Sequence, residues 1–334
     1  MNLLSTFFLL AGLGLAACVA PAGVQGALPV APPVAMATEG AQAAATLVQA
    51  IPVSRSSWYV EGQSAMGSTA NRNFISNAGF VVTPAGVVVI DALGSPALAG
   101  QLMDEIRKIT PLPVTHVIVT HYHADHIYGL QAFKAKGARI IAHRAALAYM
   151  NSDTARLRLE ASRQELAPWI NAETRLVPAD EWIDGPTELV VGGVHLVLQP
   201  VGPSHTPEDL VVYVPQERVL FAGDLVFRKR VPFVGQADSG HWIKALETLL
   251  AFDATVVVPG HGPLSTEARK DMELTRDYLV HLRATMGEAA RTMEPFDDAY
   301  LAADWSRFEN LPLFRFANRM NAYNTYLLME HEAK

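Results

Sequence analysis

Between residues 114 and 126 a β-branched run, Val114-Thr115-His116-Val117-Ile118-Val119-Thr120, passes straight into His121-Tyr122-His123-Ala124-Asp125-His126. The run reads as a strand. His121 and His123 are two apart, so at a strand end they face the same way. Asp125 and His126 follow where the chain turns into a helix, and a turn lets side chains of unlike parity converge. A lone Asp at a helix start reads as an N-cap. A lone His in a strand reads as a packed core imidazole. Four ligand-type residues in six positions read instead as part of a metal site. The chain contains one cysteine, Cys18, so neither an internal disulfide nor a cysteine-rich zinc site can be built.

Three further candidates follow strand-like runs. His205 lies in Gly202-Pro203-Ser204-His205-Thr206-Pro207, between two runs. Asp224 follows Leu220-Phe221-Ala222-Gly223, and His261 follows Val258-Pro259-Gly260. Each is flanked by Gly or Pro, which suits a shaped loop at a site. Strand ends of one layered sheet can share a rim, where these residues can meet.

The remaining pattern is mixed. Strands are expected at 74–82, 86–91, 114–120, 139–142, 189–191, 194–199, 209–214, 218–222 and 255–258. Helices are expected at 95–108, 126–136, 144–170 with a break at 151–153, 242–251, 266–291, and from 300 onward with a break at Pro312. No repeat of 20–50 residues is visible. This order fits a layered α/β domain over 53–334. Half of the residues are hydrophobic, enough for a large core, and charged residues are only 18%, which argues against a disordered chain. The net charge of −7 argues against a nucleic-acid partner. A small-molecule substrate is expected.

The N-terminus carries its own signal. Leu3 to Ala17 is almost wholly apolar or small, too short for a comfortable membrane span and of the length of a signal-peptide core. Its end, Leu15-Ala16-Ala17-Cys18, resembles the lipobox of bacterial lipoproteins, so residues 1–18 read as a signal peptide with lipobox. That implies a periplasmic protein whose membrane contact is a lipid anchor at Cys18. The alternative is an ordinary secretory peptide, cut for instance after Ala35-Met36-Ala37. Residues 19–52, rich in Ala and Pro with almost no charge, read as a tether.

The order His-x-His-x-Asp-His, then His, then Gly-Asp, then Pro-Gly-His-Gly resembles the metallo-β-lactamase superfamily over roughly residues 55–285. The resemblance implies a four-layer αββα sandwich with a dinuclear site on the rim between two sheets. By position, His121, His123 and His205 would hold one metal. Asp125, His126 and His261 would hold the second, and Asp224 would bridge both. Zinc, two per chain, is the expected cofactor, and the donor set also suits iron or manganese. A metal-bridging hydroxide would attack an ester, thioester, lactone or amide, with Asp125 orienting it and later carrying a proton.

Within the superfamily, the zinc β-lactamases with a cysteine ligand carry that cysteine where Asp224 stands and lack a His at the place of His126. Asp224 here resembles the glyoxalase II branch. The stretch from Phe221 to Arg228, with Val231 to Gly235 and Asp238-Ser239, resembles the exported quinoprotein relay system zinc metallohydrolases. Two other readings stay open: a mononuclear iron sulfur dioxygenase, and a non-catalytic periplasmic accessory or binding protein. Arg228, Lys229 and Arg230 can meet an anionic substrate or form a solvated loop. Tyr122 and Tyr128 can line a pocket or pack. Pocket walls are expected from loops 61–72, 143–186 and 228–241. Oligomeric state and substrate are not legible.

Overall fold

The computed structural model describes residues 47–235 and 237–332. The expected signal peptide, and the tether up to residue 46, lie outside the described residues. Residues 47–52, expected to end the tether, belong to the fold instead. The Leu47 and Val48 amides donate to Gln101 Oε1 at 3.0 and 3.2 Å, and Val48 is fully buried.

Seven strands form the first sheet in sequence order: β1 (Ile51–Pro52), β2 (Ser57–Val60), β3 (Ala78–Thr83), β4 (Gly86–Ile90), β5 (Val114–Ile118), β6 (Arg139–His143) and β7 (Glu181–Ile183). Pairing is antiparallel as far as β4 and parallel from β4 to β7. Parallel neighbours need crossovers, and these supply α1 (Pro96–Ile109), α2 (Ala124–Ile127), α3 (Leu130–Lys134), α4 (Ala146–Met150) and α5 (Asp153–Glu165). The Ser95 hydroxyl caps α1 by accepting from the Leu98 amide, and Pro96 occupies its first turn. Ser152 caps α5 in the same way, which explains the break expected at 151–153.

The second sheet holds β8 (Thr187–Val191), β9 (Val194–Pro200), β10 (Leu210–Val214), β11 (Val219–Phe227) and β12 (Val256–His261), in the order β12-β11-β10-β9-β8. Between β11 and β12, which pair in parallel, runs α6 (Ser239–Leu250). The chain closes with α7 (Ala268–Thr292), α8 (Phe296–Ala302) and α9 (Phe314–Glu332).

Alternation along the strands sorts the core into three slabs. On β4, Val87 and Val89 pack toward α1 and α3, while Val88 and Ile90 pack toward the second sheet. On β10, Val211 and Tyr213 pack toward α6 and α7, while Val212 and Val214 meet the first sheet. Helix, sheet, sheet and helix therefore stack as four layers, and the sheets meet through apolar side chains. Phe221 presses on Gly79, where any Cβ would strike its ring. Among the described residues no helix is long and apolar enough to cross a membrane.

Several expected elements shift. Residues 74–77 are loop, because their backbone bonds to the site loops: the Asn77 amide donates to the Gly260 carbonyl at 2.8 Å. The helix expected at 126–136 is split into α2 and α3. The strands β1, β2 and β7 were not anticipated, being short and without clear alternation. Asp224, expected just after a strand, lies inside β11, and His261 is the last residue of β12.

Candidate metal centre

The seven expected residues arrive at one rim from five places. His121 and His123 sit on the coil after β5, and Asp125 and His126 on α2. His205 sits on the loop after β9, Asp224 on β11 and His261 at the end of β12. They fall into two sets: His121, His123, His205 and Asp224, and Asp125, His126 and His261. Asp224 touches both. Its Oδ2 is 3.4 Å from His205 Nε2, 3.7 Å from His121 Nε2 and 3.2 Å from His261 Nε2, and its Oδ1 is 3.2 Å from His126 Nε2. Asp125 Oδ2 lies 3.4 Å from His261 Nε2 and 3.6 Å from His126 Nε2.

These separations match a ligand shell. Donors about 2.0–2.1 Å from a tetrahedral zinc stand about 3.3 Å from one another. His123 Nδ1 is 3.2 Å from His121 Nε2 and 3.0 Å from His205 Nε2. Two imidazole nitrogens that both lack protons cannot hydrogen-bond, so such contacts are mutual repulsion unless a cation lies between them. His126 Nε2 and Asp224 Oδ1 are buried without any hydrogen-bond partner. The residues present fit a metal.

Hydrogen bonds on the far side of the rings fix which nitrogen faces the cluster. A carboxylate can only accept, so His126 Nδ1–H donates to Asp91 Oδ2 at 2.9 Å and leaves Nε2 with its lone pair. His261 Nδ1–H donates to the Ile75 carbonyl at 2.7 Å. The Thr120 hydroxyl donates to Asp91 Oδ2 at 2.8 Å and accepts from His121 Nδ1 at 3.0 Å. Such outer partners orient a ligand and raise its basicity. Burial, reinforced by neighbouring imidazoles, holds His121 well below the usual histidine range; burial likewise brings His123 to about 3 and His205 to about 4. These three rings are uncharged at neutral pH, each with one nitrogen free to ligate, as metal binding requires.

Asp91 is the functional residue that sequence reasoning missed. It also accepts from the Thr120 amide at 2.8 Å, at a backbone φ of 63°, in the left-handed region. The available signal was a carboxylate closing the apolar run Val87-Val88-Val89-Ile90. The His205 loop is held by Asp209, which accepts from the Thr206 amide and hydroxyl, each at 2.8 Å. Gly260 must lack a side chain, because a Cβ there would land on Asp224 Oδ1.

Two cavities flank the cluster. One, of about 240 Å³, is lined by Asp125, Asp224 and His261 with Asn73, Arg158 and Arg230. The other, of about 680 Å³, runs past His123 and His205 along Tyr122, Tyr149 and Val234. The loop segments expected to form pocket walls do so. Met320 and Asn324 of α9 add a wall that the sequence did not suggest. Tyr122 lines the larger cavity, whereas Tyr128 is packed, with its hydroxyl 3.3 Å from Ser162 Oγ. Of the three basic residues, Arg228 is turned away into an ion pair with Asp271, 2.6 Å apart, and only Arg230 lines a cavity.

A rim cluster of five imidazoles and two carboxylates between two sheets could hold metal. Residues 71–261 match the model of the metallo-beta-lactamase superfamily, and the chain belongs to that family. It is 31% identical over 192 residues to a metallo-beta-lactamase type 2 of Bacillus sp. (strain 170), covering 56% of this chain and 66% of that one. It is 26% identical over 239 residues to a linear primary-alkylsulfatase of a Pseudomonas sp., covering 60% of this chain and 45% of that one. The match thus spans less than half of the alkylsulfatase and just under two thirds of the Bacillus protein. A metallo-beta-lactamase from Pontibacter korlensis superposes with a TM-score of 0.55 at 25% identity, over 70% of this chain and 99% of the other.

Proposed function

We propose that this protein is a dinuclear zinc hydrolase acting on an ester, thioester, lactone or amide. The observation that carries the reading is the position of Asp224, between two sets of metal-type donors, with one oxygen otherwise unpartnered. His121, His123 and His205 would hold one zinc, Asp125, His126 and His261 the other, and Asp224 both. Bound zinc supplies a water acidic enough to attack at neutral pH and an electrophile for the carbonyl oxygen. Asp125, half-buried at the cavity wall, orients the attacking water and holds its proton for the leaving group. Asp91 keeps His126 in the tautomer whose Nε2 faces inward. The apolar walls around His123 and His205 limit bulk water at the site. Asp224 and His126, where the chain departs from the cysteine-ligand enzymes, support the glyoxalase II-like branch, and the stretch from Phe221 to Arg228 with Val231 to Gly235 and Asp238-Ser239 supports, more narrowly, the quinoprotein relay group.

We also infer export and a lipid anchor, supported by the apolar run from Leu3 and the lone Cys18. The test is elemental analysis of protein purified without chelator, followed by a thioester, lactone and β-lactam panel. Two zinc per chain with turnover of one panel member is the expected result. About one iron per chain, with oxygen uptake on a persulfide, overturns the hydrolase reading.

A further inference from the structure

Helix α9 is committed on one face and bare on the other. Ala317, Asn318, Asn321, Ala322 and Thr325 are buried on its inner side. Asn321 accepts from the Val234 amide at 2.9 Å and donates to the Pro232 carbonyl at 2.7 Å, and Asn318 accepts from the Tyr278 hydroxyl at 2.8 Å. Those bonds fix the helix against α7 and the loop after β11. The opposite face carries Phe316, Met320, Tyr323 and Leu327, which are 72, 40, 45 and 42% exposed. Spaced by four, three and four residues, they form one stripe, with the 3.5-residue period by which one helix meets another. The whole of α9 lies beyond residues 71–261, the segment that matches the family model.

Area decides whether the stripe is large enough to matter. With large side chains of about 150–250 Å² each, those fractions leave roughly 400 Å² of apolar surface on one helix. Two such stripes face to face remove roughly 800 Å² from water. An interface of ordinary size, about 1,600 Å² in total and about 57% apolar, removes about 900 Å² of apolar surface. Charge decides the occupant. Arg315 and Arg319 stand at the start of α9, and Glu330 and Glu332 at its end. Two α9 helices laid antiparallel bring each basic end to an acidic one and oppose their dipoles, whereas parallel helices bring like to like. Arg319 and Glu332 also pair within the chain, with Asp297 and Arg283. A lipid surface calls for basic residues along the whole flank, and here one end is acidic.

We infer that α9 is the interface of a homodimer. Two copies pair through it antiparallel, about a two-fold axis between Asn321 and Ala322, with Phe316 of each copy against Leu327 of the other and Met320 against Tyr323. Met320 also lines the 680 Å³ cavity beside His123 and His205, so the second copy stands at the edge of that cavity. The pairing is independent of the reaction catalysed.

The test is sedimentation equilibrium of the full chain. The wild type should be a dimer that dissociates on dilution. Phe316→Glu, at an exposed position, should weaken it at least tenfold with an unchanged circular dichroism spectrum. Adding Leu327→Lys to Phe316→Glu should recover part of the loss, because in antiparallel order the introduced carboxylate meets the introduced ammonium of the other copy. Parallel order would set carboxylate against carboxylate, and the second change would then weaken the dimer further. Disulfide trapping reads the same register, with Cys18, the one native thiol, changed to Ser. The doubly substituted Phe316→Cys/Leu327→Cys protein should cross-link into a dimer under mild oxidant. Neither single variant should, because the two positions are about 16 Å apart along the helix, beyond the reach of a disulfide. A wild-type protein that stays monomeric up to about 100 μM overturns the proposal. So does a dimer whose dissociation constant moves less than twofold in Phe316→Glu. Cross-linking by Phe316→Cys alone overturns the antiparallel order. A monomer that sediments with anionic vesicles, and no longer does so as Phe316→Glu, assigns the face to lipid and overturns the homodimer.

Discussion

Replacing Asp91 by Asn changes one atom of a side chain that belongs to neither donor set, yet it should weaken the centre. The carboxylate accepts from the Thr120 amide, the Thr120 hydroxyl and His126 Nδ1–H. Asparagine keeps one accepting oxygen, which the Thr120 amide holds at 2.8 Å in the parent. It tolerates the left-handed backbone at φ 63°, so the loop need not move. The amide NH2 then faces His126 Nδ1–H, a donor against a donor, on a ring with no exposure. Two responses are open. The N–H can remain buried and unsatisfied, at about 1–3 kcal/mol. Alternatively the proton can move to Nε2, which removes the lone pair facing Asp125 and Asp224. The cheaper response sets the loss. Outer partners of this kind are typically worth about 10–100-fold in metal affinity, equivalent to about 1.4–2.8 kcal/mol. Chelator competition on the two proteins measures it, with circular dichroism to check the fold. The loss should concentrate in one of two zinc equivalents, that of the set containing His126. An Asp91→Asn protein that keeps both equivalents within threefold of the parent's affinities refutes the reasoning.

Other outcomes follow from the same geometry. Gly260→Ala drives a methyl into Asp224 Oδ1, so zinc content and turnover should both collapse in a protein that still folds, as elemental analysis and circular dichroism will show. Phe221→Ala opens a cavity between the sheets and should cost about 3–5 kcal/mol in denaturant titration. Glu217 ties the β1–β2 turn to the β10–β11 turn: burial pushes its carboxyl up, but hydrogen bonds from Ser54, Ser57 and Ser56 outweigh this and hold it below the ordinary value. A lowered folded pKa means that its stabilisation is complete above the ordinary glutamate pKa of about 4.3 and fades as pH falls through the folded value. The gap in melting temperature between wild type and Glu217→Gln should therefore be widest near neutrality and close under acid. Chelation should lower the melting temperature of the wild type, and zinc should restore it, because the clustered imidazoles and Asp224 lose the cation that their contacts call for.

The line between what was legible and what was not follows the range of the interactions. Helix α1 could be placed because Ser95, Pro96 and the spacing of Leu98, Leu102 and Ile106 are local signals. The short strands β1, β2 and β7 could not, because their pairing energy comes from neighbours far along the chain. The extension of β11 through Asp224 was likewise hidden, since a parallel partner, β12, draws the backbone on past Gly223.

At the site, the sequence alone determined the donor inventory: ligand-type residues at fixed offsets after strand-like runs, with Gly and Pro shaping each turn. Those offsets act within a few residues, where backbone geometry permits few outcomes. Tertiary structure decided the rest. It made Asp91 the partner of His126, chose Arg230 over Arg228 and Lys229 to face the cavity, and brought Met320 and Asn324 of α9 to its wall. The physical reason is that hydrogen-bond partners and cavity walls are set by which side chains packing leaves within a few ångströms, across separations of tens to hundreds of residues, and no local periodicity encodes that choice.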